Sequence, residues 1–164
     1  MDIFVASDPI VMWNMTGLHL TRAIDADTAT PQAYLYDILA VNTLGFNATA
    51  RLTITVTNIN DVAPMHTTSI RNLSVVENSP AGTLLAVLSY TDGDSLAEFR
   101  VSTWDIVEGN AAGTFAVDEN ANLVVRNATS LDHEARSSYH LRIRISNDAP
   151  PHLFTDAVYI VRRS

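Results

Sequence analysis

Two stretches of this chain, about 105 residues apart, follow one alternation: Tyr34, Tyr36, Ile38, Ala40 and Asn42 in the first, Tyr139, Leu141, Ile143, Ile145 and Asn147 in the second. Successive side chains of an extended backbone point to opposite faces. Apolar residues at every second position therefore give a strand with one face in a core and the other in water. An acidic pair stands shortly upstream of each stretch, Ile24-Asp25-Ala26-Asp27 and Leu131-Asp132-His133-Glu134, and another alternating segment follows each Asn. A period of this size means two copies of one β unit of about 100 residues.

Further β-like runs are Leu52–Val56, Leu73–Val76, Leu84–Leu88, Phe99–Val101, Leu123–Val125 and Val158–Val161, and no segment sustains a 3.6-residue period. Between them stand Asn78-Ser79-Pro80-Ala81-Gly82, Asp92-Gly93-Asp94, Glu108-Gly109-Asn110 and Asn147-Asp148-Ala149-Pro150-Pro151, residues suited to tight turns. Short strands punctuated in this way predict an all-β sandwich or barrel. Hydrophobic content of 47% against 17% charged residues describes a chain that forms a core. The copies are unequal. Residues 65–164 hold a full set of strands, whereas residues 1–57 start mid-unit and read as the truncated back half of a preceding module, with a linker at 58–64 that ends in Pro64.

A formal net charge of -8 is a poor match for a phosphate backbone, so no nucleic-acid partner is expected. The chain has no cysteine, which removes disulfides, zinc-thiolate sites and thiol catalysis. No basic start followed by an apolar run opens the sequence, and no apolar stretch is long enough to span a bilayer. An extracellular chain of this kind is expected to be a piece of a longer protein. Four Asn-x-Ser/Thr sequons, at Asn14, Asn47, Asn72 and Asn127, lean towards secretion. The histidines show no zinc-protease spacing, and neither a nucleophile elbow nor a phosphate loop is present, so no enzyme is expected. Trp13 and Trp104 read as core anchors.

The order of motifs resembles the cadherin repeat. Leu52-Thr-Ile-Thr-Val-Thr-Asn-Ile-Asn-Asp-Val-Ala-Pro64 is similar to that family's last strand and its D-x-N-D-N-x-P linker. Val76-Glu77-Asn78-Ser79-Pro80-Ala81-Gly82-Thr83 resembles V-E-N-x-P-x-G-T. Asp92-Gly93-Asp94 stands at D-x-D, Gly113-Thr114-Phe115 at G-x-F, Leu131-Asp132-His133-Glu134 at L-D-x-E, and Tyr139–Asn147 at Y-x-L-x-V-x-A-x-D. The resemblance implies a Greek-key, immunoglobulin-like β-sandwich, one complete module after a truncated one, with calcium at the junction.

Calcium takes six to eight oxygen ligands, mostly carboxylates and carbonyls. Carried over position by position, the resemblance assigns ligands to Asp25 and Asp27, to Asn58, Asn60 and Asp61 with the carbonyls of Ile59 and Val62, and to Asp92, Asp94 and Asn147. Glu77, Asp132 and Glu134 would form an incomplete downstream half-site. Asn58 and Asn147 stand where the family has Asp, Asp27 is shorter than the usual Glu, and Val62 replaces an Asn. With fewer carboxylates, weaker binding or fewer ions than usual is expected, best preserved around Asn60, Asp92, Asp94, Asn147 and the Val62 carbonyl. An EF-hand is excluded, because counting from Asp92 puts Ala97 at the required Gly and Thr103 at the required Glu.

The function this implies is calcium-stiffened cell-cell adhesion by a glycoprotein on the extracellular side of the plasma membrane, part of a longer single-pass protein. Its partners would be other cadherin-type ectodomains, homophilic or heterophilic. The rival readings are a calcium-poor flexible spacer without a direct adhesive role, and a module for polysaccharide binding.

Overall fold

The structure is a computed structural model that describes residues 2–5, 11–14, 17–28, 33–69, 71–131 and 137–164. The chain divides into two compact units, residues 1–59 and 60–164. It is all-β, its helical content among the described residues being two short 3-10 turns. No helix among these residues is long and apolar enough to cross a membrane.

The first unit contains β1 (Asp2–Val5), β2 (Val11–Asn14), β3 (Gly17–Leu20), β4 (Ala33–Val41) and β5 (Asn47–Thr55). Strands β1, β4 and β5 form one antiparallel sheet and β2 pairs with β3. The hairpin turn between β4 and β5 is shaped by Asn42, whose Oδ1 accepts from the amides of Leu44 (2.9 Å) and Phe46 (3.0 Å). Among the described residues one hydrophobic side chain of this unit is buried, Tyr36, packed against Leu18, Ile24, Leu52 and Ile54. The side chain of Trp13 lies outside what the structure describes.

The second unit carries β6 (Met65–His66), β7 (Asn72–Val75), β8 (Leu84–Val87), β9 (Tyr90–Thr91), β10 (Ser102–Glu108), β11 (Phe115–Val117), β12 (Asn122–Val125), β13 (Ser138–Asn147) and β14 (Phe154–Arg163). One sheet runs β10-β13-β14-β7, another β11-β12-β8, and β6 pairs with β9. Strand β7 lies parallel to β14, and the other pairings are antiparallel. The two larger sheets face each other. Leu141, Ile143, Tyr159 and Val161 of one and Phe115, Leu123 and Val125 of the other share one buried cluster, with the Phe115 and Tyr139 rings edge-on at 4.9 Å. Each fully buried side chain of this size stabilises the fold by about 1.5–3 kcal/mol. The repeated alternation thus has two outcomes: Tyr139, Leu141, Ile143 and Ile145 are all buried, but of Tyr34, Tyr36, Ile38 and Ala40 only Tyr36 is.

Phe99–Val101 is not the strand the sequence predicts. Ala97–Arg100 is a 3-10 turn closed by the Phe99 amide on the Leu96 carbonyl (3.1 Å), and the strand starts at Ser102. The alternation there is carried by Ser102, Trp104 and Ile106, which face inward, and Trp104 packs against the core as expected.

His66 closes one end of this core. Its Nε2 donates to the Thr155 carbonyl (3.2 Å), which leaves Nδ1 to accept from the Tyr159 hydroxyl at 3.4 Å, and its ring meets Trp104 edge-on at 5.1 Å. Burial pushes the imidazole below its ordinary pKa. The Thr155 carbonyl opposes this, Arg71 adds to it, and Asp156 opposes it. The neutral ring is therefore favoured in the folded state. The stability it contributes is complete above the ordinary imidazole range and is lost as pH falls through the lowered pKa. We expect the urea midpoint to drop between pH 7.5 and pH 5, and His66→Phe to remove part of that drop. An unchanged pH profile in the variant would show that His66 is not responsible.

Candidate metal centre

The turn after β9 is set locally. Asp92 Oδ1 accepts from the Asp94 amide at 3.0 Å, so Asp92-Gly93-Asp94 folds back on its own carboxylate. A Cβ on Gly93 would lie 3.2 Å from Val62 Cγ1, which means the Val62 side chain packs on the bare glycine. That contact accounts for an apolar residue at this linker position.

Asp94 is 2% exposed. The Asp61 amide approaches its Oδ1 at 3.5 Å, and carboxylate oxygens of Asp61 and Asp94 lie within 4.8 Å of each other. Two like charges this close, one of them buried, are costly without a cation.

Asn147, at the end of β13, is 1% exposed. Its Nδ2 donates to Asp92 Oδ2 (2.8 Å), the Phe99 carbonyl (2.8 Å) and Ser102 Oγ (3.2 Å). Asn60 is 4% exposed and donates through Nδ2 to the Ala149 carbonyl at 2.8 Å. These donor bonds fix how both amides are turned. Both Oδ1 atoms are consequently buried, and among the described residues neither receives a hydrogen bond. A buried oxygen without a donor costs about 1–3 kcal/mol. A hard cation that binds oxygen removes that cost, so two orphaned amide oxygens, with a buried carboxylate in the same module, fit calcium.

The first unit repeats the turn motif. Asp25 Oδ1 accepts from the Asp27 amide (2.9 Å) and Asp27 Oδ1 accepts from Asn58 Nδ2 (2.8 Å), so Asp25, Asp27 and Asn58 are gathered within it. Ile59 is exposed. Of the downstream set, Glu77 is exposed, and Asp132 and Glu134 lie outside the described residues. The sequon residues Asn47, Asn72 and Asn127 are exposed, while the side chain of Asn14 lies outside what is described.

Three participants escaped the sequence reading: the Phe99 and Ala149 carbonyls and the Ser102 hydroxyl. Carbonyls carry no residue signature, and a lone Ser is too common to single out. The Asn147–Pro151 turn residues were the one available pointer to Ala149.

A family model described as Cadherin domain matches residues 71–162. Protocadherin Fat 4 of Mus musculus is 33% identical over 137 residues, 83% of this chain and 3% of that protein. Cadherin-16 of Oryctolagus cuniculus is 32% identical over 124 residues, 71% of this chain and 15% of that protein. The chain thus spans a small fraction of the length of these curated relatives. Among solved structures, Drosophila N-cadherin EC1-4 superposes with a TM-score of 0.81 at 21% identity, covering 99% of this chain and 40% of that one. Human Protocadherin-24 EC1-2 (Form II) gives 0.77 at 13% identity, with 99% and 81% covered.

Proposed function

Because the chain belongs to the cadherin family, we propose that it is a calcium-binding stretch of an extracellular adhesion protein, with Asn60, Asp61, Asp92, Asp94 and Asn147 as the ligands on the second module. The carrying observation is the pair of buried, donor-less amide oxygens on Asn60 and Asn147, residues tied to the buried Asp94 through the adjoining Asp61 and through Asp92. Calcium, when bound, supplies the positive charge that these oxygens lack. The protein's part is positioning: Asn147 holds Asp92 through Nδ2, Asp92 holds the Asp94 amide, and Asn60 is held by Ala149.

By the family pattern, Asp25 and Asp27 of residues 1–57, with Asn58 and the carbonyls of Ile59 and Val62 in the 58–64 linker, add further ligands. Glu77, Asp132 and Glu134 begin a further site downstream. The parent protein is anchored in the plasma membrane, and its partners are other cadherin-type ectodomains, homophilic or heterophilic. No catalysis is involved, in keeping with a non-enzymatic adhesion family.

Isothermal titration of the full chain with calcium chloride tests this. We expect binding with Kd of about 0.1–1 mM, the range of extracellular modules, because only five of the assigned ligands are carboxylates. Asp94→Asn, nearly the same in shape, is expected to weaken binding at least about tenfold by removing the buried charge. Absence of calcium heat in the wild-type chain, or a variant that binds equally well, would sink the proposal.

A further inference from the structure

We propose that Asn72 carries an N-linked glycan and that this glycan guards the free edge of β7. The inference rests on the extracellular reading above. The sequon Asn72-Leu73-Ser74 lies wholly within β7, where Asn72 and Ser74 are exposed while Leu73 and Val75 turn inward.

Strand β7 ends its sheet and has a neighbour, β14, on one side only. The Ile160 amide donates to the Arg71 carbonyl (2.7 Å) and the Ser164 amide to the Val75 carbonyl (3.0 Å), so residues 71, 73 and 75 turn their backbone groups towards β14. Backbone direction alternates along a strand. The N–H and C=O groups of Asn72 and Ser74, the sequon's two functional residues, therefore face out of the sheet. Among the described residues no strand pairs with that side.

An open strand edge is a template for pairing with another chain unless charge, proline or a cover blocks it. The opposite edge strand, β10, contains Asp105 and Glu108. Between Arg71 and Glu77, β7 and its extension read Asn-Leu-Ser-Val-Val, without a charge or a proline, and Val76 is exposed. A bulky, hydrated oligosaccharide on Asn72 supplies the missing block. In its attachment Nδ2 bonds to the anomeric carbon of a lipid-pyrophosphate-linked oligosaccharide in the secretory lumen. The carbon–phosphate-oxygen bond breaks, the lipid pyrophosphate leaves with the bonding pair, and the amide releases one proton.

The test secretes the full chain from eukaryotic cells behind a cleavable leader, as wild type, Ser74→Thr and Ser74→Ala. Enzymatic deglycosylation in heavy-oxygen water marks each occupied Asn for mass spectrometry. We expect Asn72 to be marked in wild type and Ser74→Thr and unmarked in Ser74→Ala. In sedimentation velocity Ser74→Ala should self-associate at least about tenfold more tightly than the other two. An unmarked Asn72 in the secreted wild type overturns the glycan, and equal self-association of all three overturns the guard. Because the leader is supplied, a missing mark with intact calcium heat rejects only this inference. An intact mark without calcium heat rejects only the calcium reading.

Discussion

In chelator, Asn147→Asp is expected to melt roughly 15 °C below the wild-type chain, and in saturating calcium to recover most of that loss. The sign follows from what the amide does. Its Nδ2 donates to the Asp92 carboxylate, the Phe99 carbonyl and the Ser102 hydroxyl from a position 1% exposed. An Asp at the same place exchanges these donors for a carboxylate oxygen facing acceptors, a buried and uncompensated charge costing about 3 kcal/mol. With calcium the gap narrows, since an added ligand charge tightens binding, and a ligand that binds only the folded state stabilises it further. On the proposed calcium reading, Asn at this position trades affinity for stability without the ion. Differential scanning calorimetry with and without calcium reads both arms. A variant as stable as wild type in chelator would contradict this account, as would a calcium-induced rise in Tm no larger than the wild type's.

Gly109→Ala is expected to cost about 3 kcal/mol or more, enough to lower the melting temperature of the second unit by roughly 15 °C. Gly109 has φ +86°, and a Cβ there would collide with the His140 carbonyl oxygen of β13 and crowd its carbon at 2.7 Å. Backbone cannot swing aside as a side chain does, so relief requires parting β10 from β13 just past the register shift between Ile106 and Glu108. Gly113→Ala is the control. Its φ of +63° is equally unsuited to Ala, but nothing lies within 4 Å of the added Cβ, so only the conformational cost of about 1–2 kcal/mol applies. Denaturant midpoints should separate the two variants clearly, and equal midpoints would show that the collision is relieved without opening the sheet.

Much of the β-structure was legible in side-chain alternation, because a half-buried strand writes its two faces into the residue order. Val158–Val161 marked β14, which runs further at both ends, Phe154–Arg163. Phe99 misled for a physical reason. Its flanking residues look β-like, but its carbonyl is claimed by Asn147 and its amide closes a turn on Leu96. The candidate oxygen donors were equally readable, because carboxylates and amides at repeat-specific positions are few.

What the sequence by itself determined is thus the all-β class, the period of the repeat and the chemical kind of the candidate site: oxygen donors with a deficit of charge. Which way each amide faces was decided only by the tertiary structure. The bonds that turn the Asn60 and Asn147 oxygens into the protein, and hold Asp92 beside them, join residues 89, 48 and 55 positions apart. Contacts of that span exist only after strands distant in sequence, such as β10 and β13, have paired and the linker has docked on the turn after β13, so no local pattern encodes them.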